Sequence, residues 1–439
     1  MNIDELNNII EGKIVVKHKK SFQNIQTDTR KVNKKSLLFV FDLIENGGKN
    51  GYDYLKQMKV KPSIIVINEC EKEIKGITCI KVKDTIKAYS LLASYYKNKR
   101  YIPTIVITGS VGKTTTKDLI YNILSSKYNC LKTEKSQNSI LGVSNTLMKI
   151  NSNTEVLIIE LGTNHMGEIK TLSNIVKPDI GVITKIGTSH IEYFKTKQNI
   201  FKEKTSFINN MNNGILFING DDKYLNKIKN KNTQIYKIGH KKNNDFKIKN
   251  INIENNSITF KINNFYENFK FNTINKDLVL NASLAISIGL LFNISISKIK
   301  ENIQNFKFPK GRNNTYCVKN TIIIDDTYNA SKESVISSIK ALNHYKQGKI
   351  IILGDMLELG KKGKNIHKCI LNKAKKITKD VYTLGNNYKY KNNYESKKEL
   401  LNKIKKLNLK DKVILLKASR RLELDTLVPE IKNLIENEK

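Results

Sequence analysis

Cysteine is scarce: Cys70, Cys79, Cys130, Cys317 and Cys369 are odd in number, scattered, and never spaced as C-x-x-C. That excludes a zinc ribbon and argues against a disulfide framework, leaving plain thiols. No apolar run approaches the roughly 18 residues of a membrane span. The opening Met1, Asn2, Ile3, Asp4, Glu5 lacks the basic and apolar halves of a signal peptide, so no membrane span and a cytoplasmic location are expected. Acidic residues are also few, 40 against 77 basic ones, for a net charge of +37. Such a balance ordinarily suggests a nucleic-acid partner, because a dense basic surface displaces counterions from phosphate. Here lysine is spread evenly among abundant asparagine and isoleucine, and no basic stripe is interleaved with aromatics. No nucleic acid is expected, although the charge suits anionic substrates.

Arginine is the scarcest cation, at Arg30, Arg100, Arg312, Arg420 and Arg421 only. Where lysine is the default, an arginine that persists suits a planar, bidentate contact with phosphate or carboxylate. The 439 residues are enough for two to four domains of roughly 100 to 200 residues each. The expected fold class is α/β with three domains: 1–98, 99–310 and 311–439. Short apolar runs at Ser36–Phe41, Ser63–Ile67 and Ile77–Val82, with a helix over Thr85–Lys97, predict a small N-terminal α/β domain. The charged stretch from Asn98 to Pro103 reads as a linker. Strands at Thr321–Ile324, Lys349–Leu353, Asp380–Leu384 and Val413–Leu416, alternating with helices, predict a Rossmann-like C-terminal sheet.

The central stretch is Thr104 to Thr116. An apolar run ending at Ile107 leads into Thr108, Gly109, Ser110, Val111, Gly112, Lys113, Thr114 and Thr115, which reads as strand, glycine turn and helix start. Such a turn aims backbone N–H groups at a polyphosphate, with Lys113 as a point charge and the Thr114 hydroxyl suited to Mg²⁺. The turn is two residues shorter than the common P-loop. Downstream, Glu155–Glu160 and Asp179–Thr184 read as further strands of a mostly parallel sheet. Glu160 and His190 then fall on the same rim as the glycine turn, where ligands of open parallel sheets gather. A carboxylate and an imidazole beside a phosphate cradle suggest a divalent metal. The asparagine-rich stretch 222–276 predicts edge hairpins such as Ile258–Ile262 and no chemistry. Asn281–Phe292 predicts a largely buried helix. The loop Thr27, Asp28, Thr29, Arg30 is read either as a capped turn or as an anion or sugar contact.

Taken together, the glycine turn, the stretch Glu160–Ile169, the stretch Ile324–Ala330 (with Asp325, Asp326, Thr327, Tyr328 and Asn329) and the stretch Gly354–Gly360 resemble the Mur ligase family across all three domains. Its members are ATP-dependent amide-bond formers of peptidoglycan precursor synthesis. The last three stretches narrow the resemblance to the branch that joins D-alanyl-D-alanine to UDP-N-acetylmuramoyl-tripeptide through an acyl phosphate. The resemblance implies ATP and Mg²⁺ as cofactors and those two molecules as substrates of a monomer. It implies Lys113, Glu160, His190 and Lys204 as catalytic residues, with Thr114, Glu160, His190 and a carbamylated Lys204 serving the metals. It further implies Asn281, Arg312 and Asp326 at the nucleotide together with Gly109–Thr115, and Asp28, Thr29, Arg30, Asn138 and Asn329 at the substrates. The chain departs from the family pattern at Asn50, Ser139, Asp277, Leu278, Ser331 and Ala418. Two alternatives stand beside it: in the same chemistry, another ligase of this type that adds a single amino acid, or a folylpolyglutamate synthase; and, in a different class, a non-enzymatic ATP-dependent binding module, such as one for nucleic acid.

Overall fold

The computed structural model describes residues 1–43, 48–211, 213–254, 256–263 and 265–437. Three sheets follow one another along the chain, with five, nine and six strands among the described residues. They mark a first, a middle and a third unit. Their strands are rich in isoleucine, valine and leucine and mostly buried, the pattern of parallel sheets covered on both faces.

In the first unit the order is Lys13–Val16, Thr78–Val82, Ile64–Asn68, Ser36–Phe39, Asn24–Gln26, with only the first pair antiparallel. The helix Thr85–Asn98 closes it, started by the Asp84 carboxylate, which accepts from the Ile86 and Lys87 amides. The expected linker is pinned at its arginine. The Arg100 guanidinium donates to the carbonyls of Asn151, Ser152 and Thr154, a structural use of one of the few planar cations.

The middle sheet has the strand Thr104–Thr108 third from one end, between Ile180–Ile183 and Val156–Glu160, all parallel. Every residue of Thr104–Thr108 and of Val156–Glu160 is buried, so the two polar ends of these strands open at the same carboxyl edge. Two points differ from the sequence reading. Thr233–Gly239 joins the sheet in parallel with Gly214–Asn219, and hairpin pairing begins only at Phe246–Glu254 with Ser257–Ile262 and Phe269–Phe271. The long helix starts at Asp277 and runs to Leu291, so Asn281 lies inside its second turn instead of at its start.

The third sheet runs Asn314–Val318, Thr321–Asp325, Lys412–Lys417, Gly348–Gly354, Val381–Leu384, Asn393–Tyr394, antiparallel only at its first pair. All five cysteines are free thiols. Among the described residues no helix is long and apolar enough to cross a membrane.

Candidate active site

A cleft of about 480 Å³ opens at the carboxyl edge of the middle sheet, and residues of the third unit close its far wall. Its floor is the glycine turn. Gly109 takes φ 145° and Gly112 φ 88°, the left-handed region that favours glycine. A Cβ on Gly109 would sit 2.0 Å from Thr184 Oγ1, and one on Gly112 would press on the Asn281 amide at 2.8 Å. The turn is held from the side by the segment after Ile180–Ile183. Thr184 Oγ1 donates to the Val111 carbonyl at 2.6 Å, Ser110 N to the Lys185 carbonyl at 2.8 Å, and Ser189 Oγ to the Ser110 carbonyl at 2.8 Å. The helix Lys113–Leu124 begins directly at the turn, so its first amides face the cleft without intrahelical acceptors. Lys113 Nζ donates to the Gly109 carbonyl at 2.9 Å. Burial pushes its ammonium below its ordinary pKa, Glu160 opposes that, and Arg312 adds to it. An anion here would restore the charge, which is what a phosphate group supplies.

Glu160 is the last residue of its strand and is buried. Its Oε1 accepts from Asn138 Nδ2 at 2.8 Å, while its Oε2 has no hydrogen-bond partner among the described residues. The Thr114 hydroxyl lines the same cleft. An unpartnered buried carboxylate oxygen in a cleft that Thr114 also lines fits Mg²⁺, which takes one or two carboxylates and completes its shell with phosphates and water. No group of three or more His, Cys, Asp or Glu converges among the described residues.

Lys204 is only 1% exposed and does not line the cleft. Burial, with Lys113 adding to it and Glu203 and Glu160 opposing, drives its pKa well below the ordinary value. Its neighbour Glu203 is structural: the carboxylate accepts from the Gly167 amide at 2.7 Å, the Ile169 amide at 2.8 Å and Thr163 Oγ1 at 3.2 Å. These contacts fix the loop 161–167 to the helix that carries Lys204.

The third unit supplies the opposite wall. The Arg312 guanidinium lies 3.8 Å over the Tyr328 ring, and Asp326 is fixed by Lys417 Nζ at 2.5 Å and Ser338 Oγ at 2.7 Å. Contacts between units shut the cleft. Ser337 Oγ donates to Asn275 Oδ1 at 2.7 Å, Asn313 Nδ2 to Thr273 Oγ1 at 2.9 Å, and Thr188 Oγ1 to Glu333 Oε2 at 2.9 Å. His190 Nδ1 lies 2.6 Å from Glu358 Oε2.

The structure thus brings together Ser110–Thr115, Asn138, Glu160, His190, Asn281, Arg312, Asp326 and Asn329, with Gly109 directly beneath them. Asp28, Thr29 and Arg30 stand apart on the first unit. There Arg30 folds onto Asp28 with contacts of 2.9 and 2.8 Å, and its hydrogen bond to Asp28 is the main cause that lowers that carboxyl to about 2. Within the stretch 222–276, expected to carry no chemistry, His240 and Asn275 line the cleft. Lys417 was given no role by sequence, although it ends a buried strand of the third sheet, the kind of signal that singled out Glu160 in the middle one. Glu333 carried no such signal.

Comparison with known proteins agrees with this geometry. Residues 107–289 match the Mur ligase middle domain and residues 311–427 the Mur ligase glutamate ligase domain. The chain is 31% identical over 435 residues to a UDP-N-acetylmuramoyl-tripeptide--D-alanyl-D-alanine ligase of Buchnera aphidicola, covering 94% of this chain and 93% of that one. It is 30% identical to the enzyme of the same name from Bacillus subtilis, with the same coverage. Its fold superposes on MurF from Acinetobacter baumannii with a TM-score of 0.87 at 24% identity, covering 98% of both chains. With MurF ligase of Thermotoga maritima in complex with ADP the TM-score is 0.84 at 22% identity, covering 94% of this chain and 98% of that one.

Proposed function

We propose a specific reaction for this chain from one premise: it belongs to the Mur ligase family. It is an ATP-dependent ligase that joins D-alanyl-D-alanine to UDP-N-acetylmuramoyl-tripeptide. The observation that carries this is the match over nearly the whole length to ligases of that name, with the phosphate turn, Glu160 and Asp326 on one cleft.

The tripeptide's terminal carboxylate attacks the γ-phosphorus of ATP, ADP leaves, and the acyl phosphate is attacked at its carbonyl carbon by the dipeptide amine as phosphate departs. Negative charge grows first on phosphoryl and then on acyl oxygens, so fixed positive groups are the main need. Lys113 and the turn amides hold the β- and γ-phosphates. Asn281 meets the base side of the nucleotide, Asp326 a ribose hydroxyl through Oδ1, the oxygen that among the described residues accepts only from the Asn313 amide, at 3.3 Å, and Arg312 a phosphate from its seat on Tyr328. Thr114 and Glu160 would hold Mg²⁺, with His190 and Lys204 at a second position; bound there, Mg²⁺ supplies charge neutralisation on the phosphoryl oxygens. The depressed pKa of Lys204 supports carbamate formation, since only the neutral amine adds CO₂. Asn138 orients Glu160 and, with Asn329, stands where the peptide ends would meet. Asp28, Thr29 and Arg30 hold the distant uridine nucleotide. The proposal includes domains at 1–98, 99–310 and 311–439, a monomer, and a cytoplasmic location, for which the five unpaired thiols speak.

Phosphate release by the purified protein tests this reading. Release that requires ATP, the tripeptide and D-alanyl-D-alanine together, with pentapeptide formed, is expected. Release indifferent to the dipeptide, or equally supported by glutamate or another single amino acid, overturns it.

A further inference from the structure

The contact between His190 and Glu358 is unlike the others that close the cleft. Both residues have positive φ, 57° at His190 and 63° at Glu358, conformations that non-glycine residues hold only when their surroundings impose them. They meet across the boundary between the middle and third units at 2.6 Å, and the Glu192 amide donates to the Glu358 carbonyl at 3.3 Å beside them. A Cβ on Gly360 would fall 3.1 Å from Glu192 Cγ, so the backbone of this loop approaches the middle unit closely.

The loop that carries Glu358 is built before it arrives. His367 Nδ1 donates to the Gly363 carbonyl at 2.7 Å, which leaves Nε2 to accept from the Met356 amide at 2.9 Å. The Asp355 carboxylate accepts from the Asn386 amide at 2.9 Å and from Asn387 Nδ2 at 2.7 Å, and the Leu357 amide donates to Ser419 Oγ at 3.0 Å. Three anchors within its own unit therefore hold the loop, and its tip projects onto the neighbouring unit.

We propose that Glu358 is a positioning residue for His190: closure of the third unit delivers a carboxylate to Nδ1 and turns Nε2 toward the cleft. This rests on the cleft's being the nucleotide site. A carboxylate at one ring nitrogen assigns the proton to that nitrogen and leaves the other as a lone-pair donor, the arrangement that fixes imidazoles in metal and phosphate sites. The site is then complete only in the closed chain, and the imidazole of an open chain is free to turn.

The test uses the full chain and two readouts. Amide hydrogen exchange over 186–195 and 354–362 is compared among the unaltered chain, Glu358→Ala and Glu358→Gln. Glu358→Ala is expected to lower protection over 186–195, in the other unit, about tenfold. It lowers kcat about 10- to 100-fold with KM for ATP within about twofold, and Glu358→Gln, whose amide oxygen can take the carboxylate's place facing Nδ1, recovers most of both losses. Unchanged exchange over 186–195, a loss confined to KM, or a Gln variant no better than Ala overturns the proposal. An unaltered chain that forms no amide overturns the functional reading instead, and the exchange result then decides the contact by itself.

Discussion

Lys204 is the residue whose chemistry depends most on where the fold puts it. Its folded pKa lies well below the ordinary value of 10.5, because burial disfavours the ammonium. Between those two values the unfolded chain binds the extra proton, so stability rises with pH across that window. Lys204→Met, compared with the unaltered chain in CO₂-free buffer by thermal melting at pH 7 and pH 9.5, is expected to be more stable at pH 7 by about 1 kcal/mol, or about 2–4 °C. The difference shrinks toward pH 9.5; a variant less stable at pH 7 contradicts the burial account. Sequence could not single this lysine out by itself. It sits among 77 basic residues in a charged helix, and only likeness to a family raised it above a solvated face. Glu160 was legible because a carboxylate closing an apolar run stands out, and the same rule, applied to Lys417, would have found the partner of Asp326. Asn138, expected at the substrates, lines the cleft, and its hydrogen bond to Glu160 was not foreseeable, since twenty-two positions separate the two.

At the scale of elements, the phosphate turn was readable because its requirements are local. An apolar strand, glycines where φ must be positive, and a lysine at the helix start all lie within one short segment. Gly109→Ala tests that reading. The methyl would lie 2.0 Å from Thr184 Oγ1 at φ 145°, so the variant is expected to lose at least about 2 kcal/mol of stability and to bind ADP at least tenfold more weakly. Calorimetric titration showing unchanged ADP affinity would falsify the account of the turn. The strand Thr233–Gly239 was harder to read. Its partner lies to one side by a parallel crossover, and an exposed Gln234 with a half-buried Lys237 break up the continuous apolar run that marks a buried parallel strand. The early start of the long helix was hidden for a related reason. Asp277 and Leu278 replace the pattern expected before Asn281, while the backbone continues the helix through them.

The whole molecule shows what no local pattern carries, which is that the cleft belongs to two units at once. Asn275 with Ser337, Thr273 with Asn313, and Thr188 with Glu333 are far apart in sequence and polar on both sides, so neither periodicity nor composition marks them. The order of the three sheets was legible, since each is contiguous in the chain; that Arg312 and Asp326 meet the glycine turn came only from the family resemblance, and the contacts that hold the units together were not legible. Because both units line the cleft proposed to hold the nucleotide, ADP with Mg²⁺ at a hundred times its Kd is expected to stabilise the middle and third units together, by about 2.7 kcal/mol. A calorimetric scan in which only one transition moves contradicts a shared site. The central claim is that a carboxylate is activated as an acyl phosphate, and oxygen labelling reaches it most directly. With ¹⁸O in the terminal carboxylate of the tripeptide, attack on the γ-phosphorus and departure of phosphate carry one labelled oxygen into each phosphate released. Mass spectrometry finding that single ¹⁸O is the predicted result, and phosphate that stays unlabelled while the amide forms would contradict it.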